Sequence, residues 1–371
     1  GFCRMSVCST PGCPFLAHTQ PREGFDGFCC IACAEGRGRG HGPRCERIPA
    51  AVAGRPRPSY RGSLQTARTP LCYYFSPSRD GLLRDIEGAY LNARFGPGSL
   101  PRTPAPESRT PQSFMLLVSH GASNDSFPVV AHAYHLLASR GLPPSVLILG
   151  TDHGNVGAPV ALSARPWRTP LGQVEVDSDL LGELRSRGFC VDEKGHSQEH
   201  SIENQLPFLQ HLAPSVKVLP LNIGWISLQR AKQVAQDVVA VTSGRPVLII
   251  ATTDYLHAGE GYYDQPPRGE GLHAFIRRRD EPVLAAIREC SPEATVSASG
   301  HRGMCGLWPT VVFLYCAQLQ GFTQAELLKY AVSGEVSRAP GCCGFASWVF
   351  REPDGVAAAQ GSLDVHWSIV D

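Results

Sequence analysis

The sequence predicts an α/β fold with a largely parallel sheet flanked by helices, preceded by a small Cys-rich segment. Three features predict it. Two short apolar runs, Met115-Leu116-Leu117-Val118 and Val146-Leu147-Ile148-Leu149, are separated by about twenty residues of helical pattern. Continuous apolar runs of that length joined by a helix read as buried strands of a βαβ unit. Strand-like and helix-like stretches then alternate to residue 350, which implies a sheet covered on both faces.

The chain has 371 residues, 43% hydrophobic and 18% charged, enough for a real core and unlike a disordered chain. Its net charge of +1 gives no reason to expect nucleic acid or an acidic membrane surface as a partner. No apolar run approaches the roughly 18 residues of a membrane span. The chain opens on Gly-Phe-Cys-Arg, with neither an initiator Met nor a signal-peptide pattern, so a truncated or processed chain is expected.

Seven of the 14 cysteines fall before residue 46, and the other seven are scattered. Scattered cysteines fit a reduced, cytoplasmic protein, so the front cluster needs its own explanation. Residues 1–47 carry Cys30-x2-Cys33-x7-His41-x3-Cys45, preceded by Cys13. Such spacing supplies four soft ligands for zinc, and metal can fold a segment too short for a core. A disulfide cluster and a disordered tail are the alternatives. Residues 48–65, rich in proline, read as a linker. The main domain is placed at 66–371.

Within that domain, Cys72-Tyr73-Tyr74-Phe75 is an aromatic anchor. Ser76-Pro77 reads as a helix start, the helix running to Ala93 with Leu82, Leu83, Ile86 and Tyr90 at helical spacing. Val129, Val130, Ala133, Leu136 and Leu137 form the stripe of the crossover helix. Further strands are expected at 158–163, 216–221, 247–251, 327–332 and 344–350. Helices are expected at 178–187 and 228–241, and helices dominate from 272 to 319.

Open α/β sheets bind ligands beyond the carboxyl ends of their strands. The first two strands here run into Ser119-His120-Gly121 and Asp152-His153-Gly154, so two imidazoles face one crevice. The strand at 247–251 runs into Thr252-Thr253-Asp254-Tyr255-Leu256-His257. Asp254 and His257 are candidate orienting or proton-handling groups, with turn capping by Asp254 as the structural alternative. Cys305 lies between glycines ahead of a helix, where a thiolate is stabilised by the helix dipole, unless it is inert packing. The densest polar stretch is Gln198-Glu199-His200-Ser201-Ile202-Glu203-Asn204-Gln205-Leu206-Pro207-Phe208. Read as one helix, it pairs Glu199 with Glu203 at i, i+4 and is ended or kinked by Pro207. A solvated helix face is the plain reading. A zinc-protease helix is excluded because the H-E-x-x-H order is absent.

Together these stretches resemble the Memo family, which includes the bacterial AmmeMemoRadiSam system protein B. That family carries P-H-A-G-Y, G-P-S-H-H, E-H-S-I-E-x-x-L-P-F/Y, S-S-D-x-x-H and C-G-x-x-P in this order. The counterparts are Ser119–Ser123, Gly150–Gly154, Glu199–Phe208, Thr252–His257 and Cys305–Pro309, and the resemblance spans residues 66–350. It implies a fold similar to class III extradiol ring-cleaving dioxygenases, with His120, His153 and Cys305 lining a crevice that takes copper or iron. It also implies that Glu199, His200 and Glu203 border the crevice as binding residues. The second motif departs from the family: Thr151-Asp152 replaces Pro-Ser and Gly154 replaces a histidine. Asp152 could therefore add a carboxylate. The expected role is redox-metal handling or recruitment of a protein or peptide partner, with an iron-dependent oxygenase as runner-up. An interaction module with a vestigial pocket comes third.

Overall fold

The computed structural model describes residues 67–102, 113–300, 302–337 and 341–353. The segment 1–47 with its zinc ligand candidates Cys13, Cys30, Cys33, His41 and Cys45, and the linker 48–65, lie outside the described residues.

In chain order the elements are α1 (Arg79–Leu91), β1 (Phe114–Val118), α2 (Phe127–Arg140), β2 (Ser145–Thr151), β3 (Val160–Leu162), β4 (Trp167–Thr169) and β5 (Gly172–Val176). Then follow α3 (Ser178–Ser186), β6 (Cys190–Val191), α4 (Glu193–His196), α5 (Leu206–Leu212), β7 (Lys217–Ile223), α6 (Leu228–Thr242), β8 (Val247–Thr252) and β9 (His257–Gly259). The chain closes with α7 (Leu272–Arg288), α8 (Pro292–Ser299), α9 (Leu307–Gln320), β10 (Gln324–Val332), α10 (Ser333–Val336) and β11 (Gly341–Arg351).

The sheet runs β10-β11-β1-β8-β2-β7-β3-β6, with β4, β5 and β9 attached at its sides. Its four central strands, β1, β8, β2 and β7, are mutually parallel. Antiparallel neighbours flank them: β11 beside β1 and β3 beside β7. Because side chains alternate across a strand, the apolar runs feed two cores. Met115, Leu117, Leu147, Leu149 and Ile249 pack with α6 and α9 on one face. Leu116, Val118, Val146, Ile148 and Ile250 pack with α1, α2 and α5 on the other. Among the described residues, no helix is long and apolar enough to cross a membrane.

Two local expectations are corrected. The first helix starts at Arg79, capped by Ser78 Oγ, which accepts the Gly81 N–H at 3.2 Å. Ser76 stays outside it because its own N–H donates to Asp85 Oδ2 at 2.9 Å. That helix also ends before Ala93, where Asn92 Oδ1 takes the N–H groups of Arg94 and Phe95 and turns the chain. The polar stretch 198–208 is not one helix either. It is a buried turn, a 3-10 turn over Glu203–Gln205, and then α5, with Pro207 inside its first turn. Proline is tolerated there because those N–H groups have no intrahelical partner.

Candidate functional site

Three neighbouring parallel strands bring the site together. β1, β8 and β2 end at Val118, Thr252 and Thr151, and each is followed two residues later by an ionisable side chain: His120, Asp254 and His153. The shared offset puts all three at the carboxyl edge of the sheet, where this class of fold places ligands.

His120 is held through its backbone. Its N–H donates to Asp254 Oδ1 at 2.8 Å, and its carbonyl accepts from Asn204 Nδ2 at 2.6 Å. Ser119 beside it ties three strands, donating to Thr253 O and accepting from Ala346 N, both at 3.0 Å. The imidazole is buried, with Nε2 3.2 Å from Cys305 Sγ and Nδ1 lacking any protein partner. The other oxygen of Asp254 lies 3.9 Å from Nε2.

Cys305 is locked to the end of β8. Its N–H donates to Asp254 O at 3.0 Å, and its sulfur accepts from Asp254 N at 3.2 Å. Burial pushes the Cys305 thiol up, but the imidazoles of His120 and His153 outweigh it and bring it down to about 6. A thiolate beside imidazole at a helix start is the reactive and ligating form of cysteine.

Glu199 organises the remaining histidines. Its carboxylate accepts the N–H groups of His153 (2.9 Å), His200 (2.8 Å) and Ser201 (2.7 Å), and lies 3.0 Å from His153 Nδ1. Burial acts to raise its pKa, yet His153, His200 and these N–H groups hold it well below the usual carboxylate range. Burial acts to lower the His153 pKa in turn, but Glu199 and Cys305 carry it well above the usual range. Burial and neighbouring His153 push His200 well down, so its ring is neutral. The three rings form a cluster: His153 stacks on His200 at 4.5 Å, and His120 meets them edge-on at 5.1 and 5.5 Å. Tyr74 covers His200 at 4.4 Å.

The turn carrying Glu199 docks onto β2 because position 150 has no side chain. Ser201 Oγ accepts the Thr151 N–H at 2.9 Å, and a Cβ on Gly150 would collide with Ile202.

The other candidates separate. Glu203 is buried, but it serves the chain: it pairs with Arg68 and accepts the Leu71 and Cys72 N–H groups, each at 2.9 Å. Asp152 lies at the mouth, lining a small cavity with Cys305, Trp225 and Trp308; burial lifts its carboxyl to about 6. Asp254 is raised by burial, only partly offset by His257 and the His120 N–H, whereas burial lowers His257. Asp254 groups with His257 and Cys343 as well as with His120 and Cys305. Arg68, Asn204 and Cys343 carry structure at the site without a signal in strand or helix pattern. The Cys342-Cys343 pair was the one visible hint.

The fold and the crevice define an α/β protein with a buried cluster of histidine, cysteine and carboxylate at the carboxyl edge of a parallel sheet, a donor set that could hold a metal ion. The chain belongs to the Memo family: the family model described as Memo-like protein matches residues 79–347. A MEMO1 family protein of Methanopyrus kandleri is 33% identical over 286 residues, covering 75% of this chain and 96% of the relative. One from Sulfurisphaera tokodaii is 30% identical over 273 residues, covering 71% and 91%. One from Pyrococcus furiosus is 33% identical over 237 residues, covering 60% and 81%. Among solved structures, an uncharacterized protein of Escherichia coli K12 matches with a TM-score of 0.41 at 12% identity, covering 64% of this chain and 99% of the other; nothing about this chain follows from likeness at that level.

Proposed function

We propose that the crevice binds one redox-active metal ion through His120, His153 and Cys305, and that the protein acts in handling that metal in the cytoplasm. The observation that carries this reading is the Cys305 sulfur 3.2 Å from His120 Nε2, in a setting that favours thiolate. The ring nitrogen that faces the sulfur, His120 Nε2, is the one that would share an ion with Cys305. Two imidazoles and a thiolate are soft donors that suit copper. When bound, such a metal supplies one-electron chemistry.

The chain's own residues do the rest. Glu199, through His153 Nδ1, directs the other ring nitrogen of His153 away from itself and holds the ring. Asp254 fixes the His120 backbone, and Tyr74 with His200 shields the cluster from water. The iron-oxygenase reading calls for two histidines and a carboxylate converging on one point. Among the described residues the groups at ligand spacing are His120/His153/His200, His120/Asp254/Cys305 and Asp254/His257/Cys343; none holds two histidines with a carboxylate, and the proposed set of His120, His153 and Cys305 joins the first two groups through their shared His120. Asp152 belongs to none of them.

The test is metal content of the full chain after equilibration with copper or iron under competition. Cys305→Ser should weaken copper more than iron, and His120→Ala should weaken both. If both variants keep wild-type content for both metals, the crevice is not a metal site.

A further inference from the structure

The loop after β8 and the start of β11 build a second donor group that the reading above leaves unused. β9 and β11 are antiparallel, and Cys343 stands directly opposite His257 in their register. Directly opposed residues of an antiparallel pair project from the same face, about 5 Å apart. Asp254 precedes His257 by three residues, and the segment between is pinned to β11 by Tyr255 N–H to Gly344 O (2.9 Å) and Gly344 N–H to Leu256 O (3.2 Å). One ligand atom each of Asp254, His257 and Cys343 lie within 4.8 Å of one another. The arrangement is rigid before any ion arrives, because its three members stand on hydrogen-bonded backbone.

The surroundings ask for positive charge. Asp254 and Cys343 are buried, and Asp125 is near enough for its charge to act on both. One oxygen of Asp125, Oδ1, is buried without a hydrogen-bond partner. Among the described residues no lysine or arginine forms an ion pair with Asp125 or Asp254. An orphaned buried carboxylate oxygen is costly unless something binds it. His257 is partly exposed, which gives an ion a way in.

We infer that Asp254, His257 and Cys343 form a second metal site, for a divalent ion of zinc type, with the Asp125 carboxylate beside it. One sulfur, one imidazole nitrogen and one carboxylate oxygen are a zinc ligand set, and three protein ligands with a fourth position open is the form of a zinc site that keeps water. The site does not rest on the metal reading of His120, His153 and Cys305. Asp254 touches both groups, holding His120 through its backbone N–H and facing His257 with its carboxylate.

The experiment uses the full chain, stripped by chelator and titrated with Co2+ as a spectroscopic stand-in for zinc. Bound ions are counted after desalting, and the thiolate-to-cobalt charge-transfer absorption is recorded. The N-terminal cysteines contribute equally to every variant, so differences from wild type are read. His257→Ala and Cys343→Ser should each lose one bound ion, and Cys343→Ser should also lose one thiolate's share of charge-transfer absorption. Cys305→Ser should keep that ion even if it loses another, which separates the two sites. Should burial of Cys343 keep its serine variant from folding, His257→Ala, at a partly exposed position, decides alone. Wild-type ion count in His257→Ala overturns the inference, as does loss of ions confined to Cys305→Ser.

Discussion

Arg68 and Glu203, 135 residues apart in the chain, form an ion pair sealed from solvent on both sides. The Arg68 guanidinium also donates to His196 O at 2.8 Å and Glu199 O at 2.7 Å, and lies over the Trp167 ring at 4.1 Å. It therefore clamps the front of the described chain to the turn that carries Glu199 and His200. Removing one partner of a buried pair leaves the other charge uncompensated, so Arg68→Ala should destabilise the protein by about 3–5 kcal/mol. Chemical denaturation of the two proteins measures this. A loss below about 1 kcal/mol means that the pair is not what holds the turn.

Gly306 illustrates a motif residue with a steric cause. A Cβ there would meet the Thr252 carbonyl and Thr253 Cβ, the latter at 2.7 Å, where the end of β8 passes under the start of α9. Gly306→Ala should cost about 1–3 kcal/mol by overpacking and shift Cys305 next to it. A thermal melt equal to wild type would show that the contact relaxes freely.

In the metal-free protein, Cys305 should be alkylated with a midpoint near pH 6, mapped on its own peptide by mass spectrometry. The His120 and His153 imidazoles beside it overcome the upward push of burial. His120→Ala removes one of them and should move the midpoint up by at least one pH unit. A midpoint above 8 in the wild type would deny the thiolate pairing.

Much of this arrangement was legible in the sequence because it lies in the period of the strands. His120, His153 and Asp254 each follow a continuous apolar run, and such a run ends where the sheet edge meets solvent. The 198–208 stretch misled because its helical spacing is real for Ile202, Leu206 and Leu209. Glu199 and Glu203 are buried all the same: Glu199 takes the N–H groups of the adjacent His200 and Ser201 and of His153, and Glu203 pairs with Arg68; no local pattern encodes the distant His153 and Arg68. Cys343 stood inside an apolar strand, where cysteine packs like any small hydrophobe; only its pairing with β9 shows that it faces His257.

Asp280 gives the fold a pH dependence of its own. It is fully buried on α7, accepting from Tyr330 Oη at 2.7 Å and Leu256 N at 3.0 Å, and burial pushes its carboxyl up to about 7. Between its ordinary value of 3.8 and about 7, the folded state holds a proton that the unfolded chain releases. The folded state binds more protons there, so stability falls as pH rises through that window, by about 4 kcal/mol. Asp280→Asn should flatten this slope and gain stability at pH 8 relative to pH 5. Parallel slopes in the two proteins would remove Asp280 as the cause.

Glu199→Gln tests whether the His153 ring is set by its buried carboxylate. Glu199 Oε1 accepts the His200 and Ser201 N–H groups, while Oε2 accepts the His153 N–H and both oxygens lie beside Nδ1. A glutamine has one oxygen, and the two N–H groups at Oε1 hold it there. Its NH2 then confronts the His153 N–H and offers a proton to Nδ1. With the carboxylate gone, the neutral ring that a metal requires is no longer held in its Nδ1–H form, and the other nitrogen, the one the proposed metal needs, is protonated more often. Metal affinity should therefore drop about 10–100-fold, the range seen when an orienting partner of a ligating histidine is lost. Imidazole 15N shifts of His153 report the tautomer directly, and competition with a chelator reports the affinity. An unchanged tautomer together with unchanged affinity would falsify the assignment of Glu199 as the residue that orients His153.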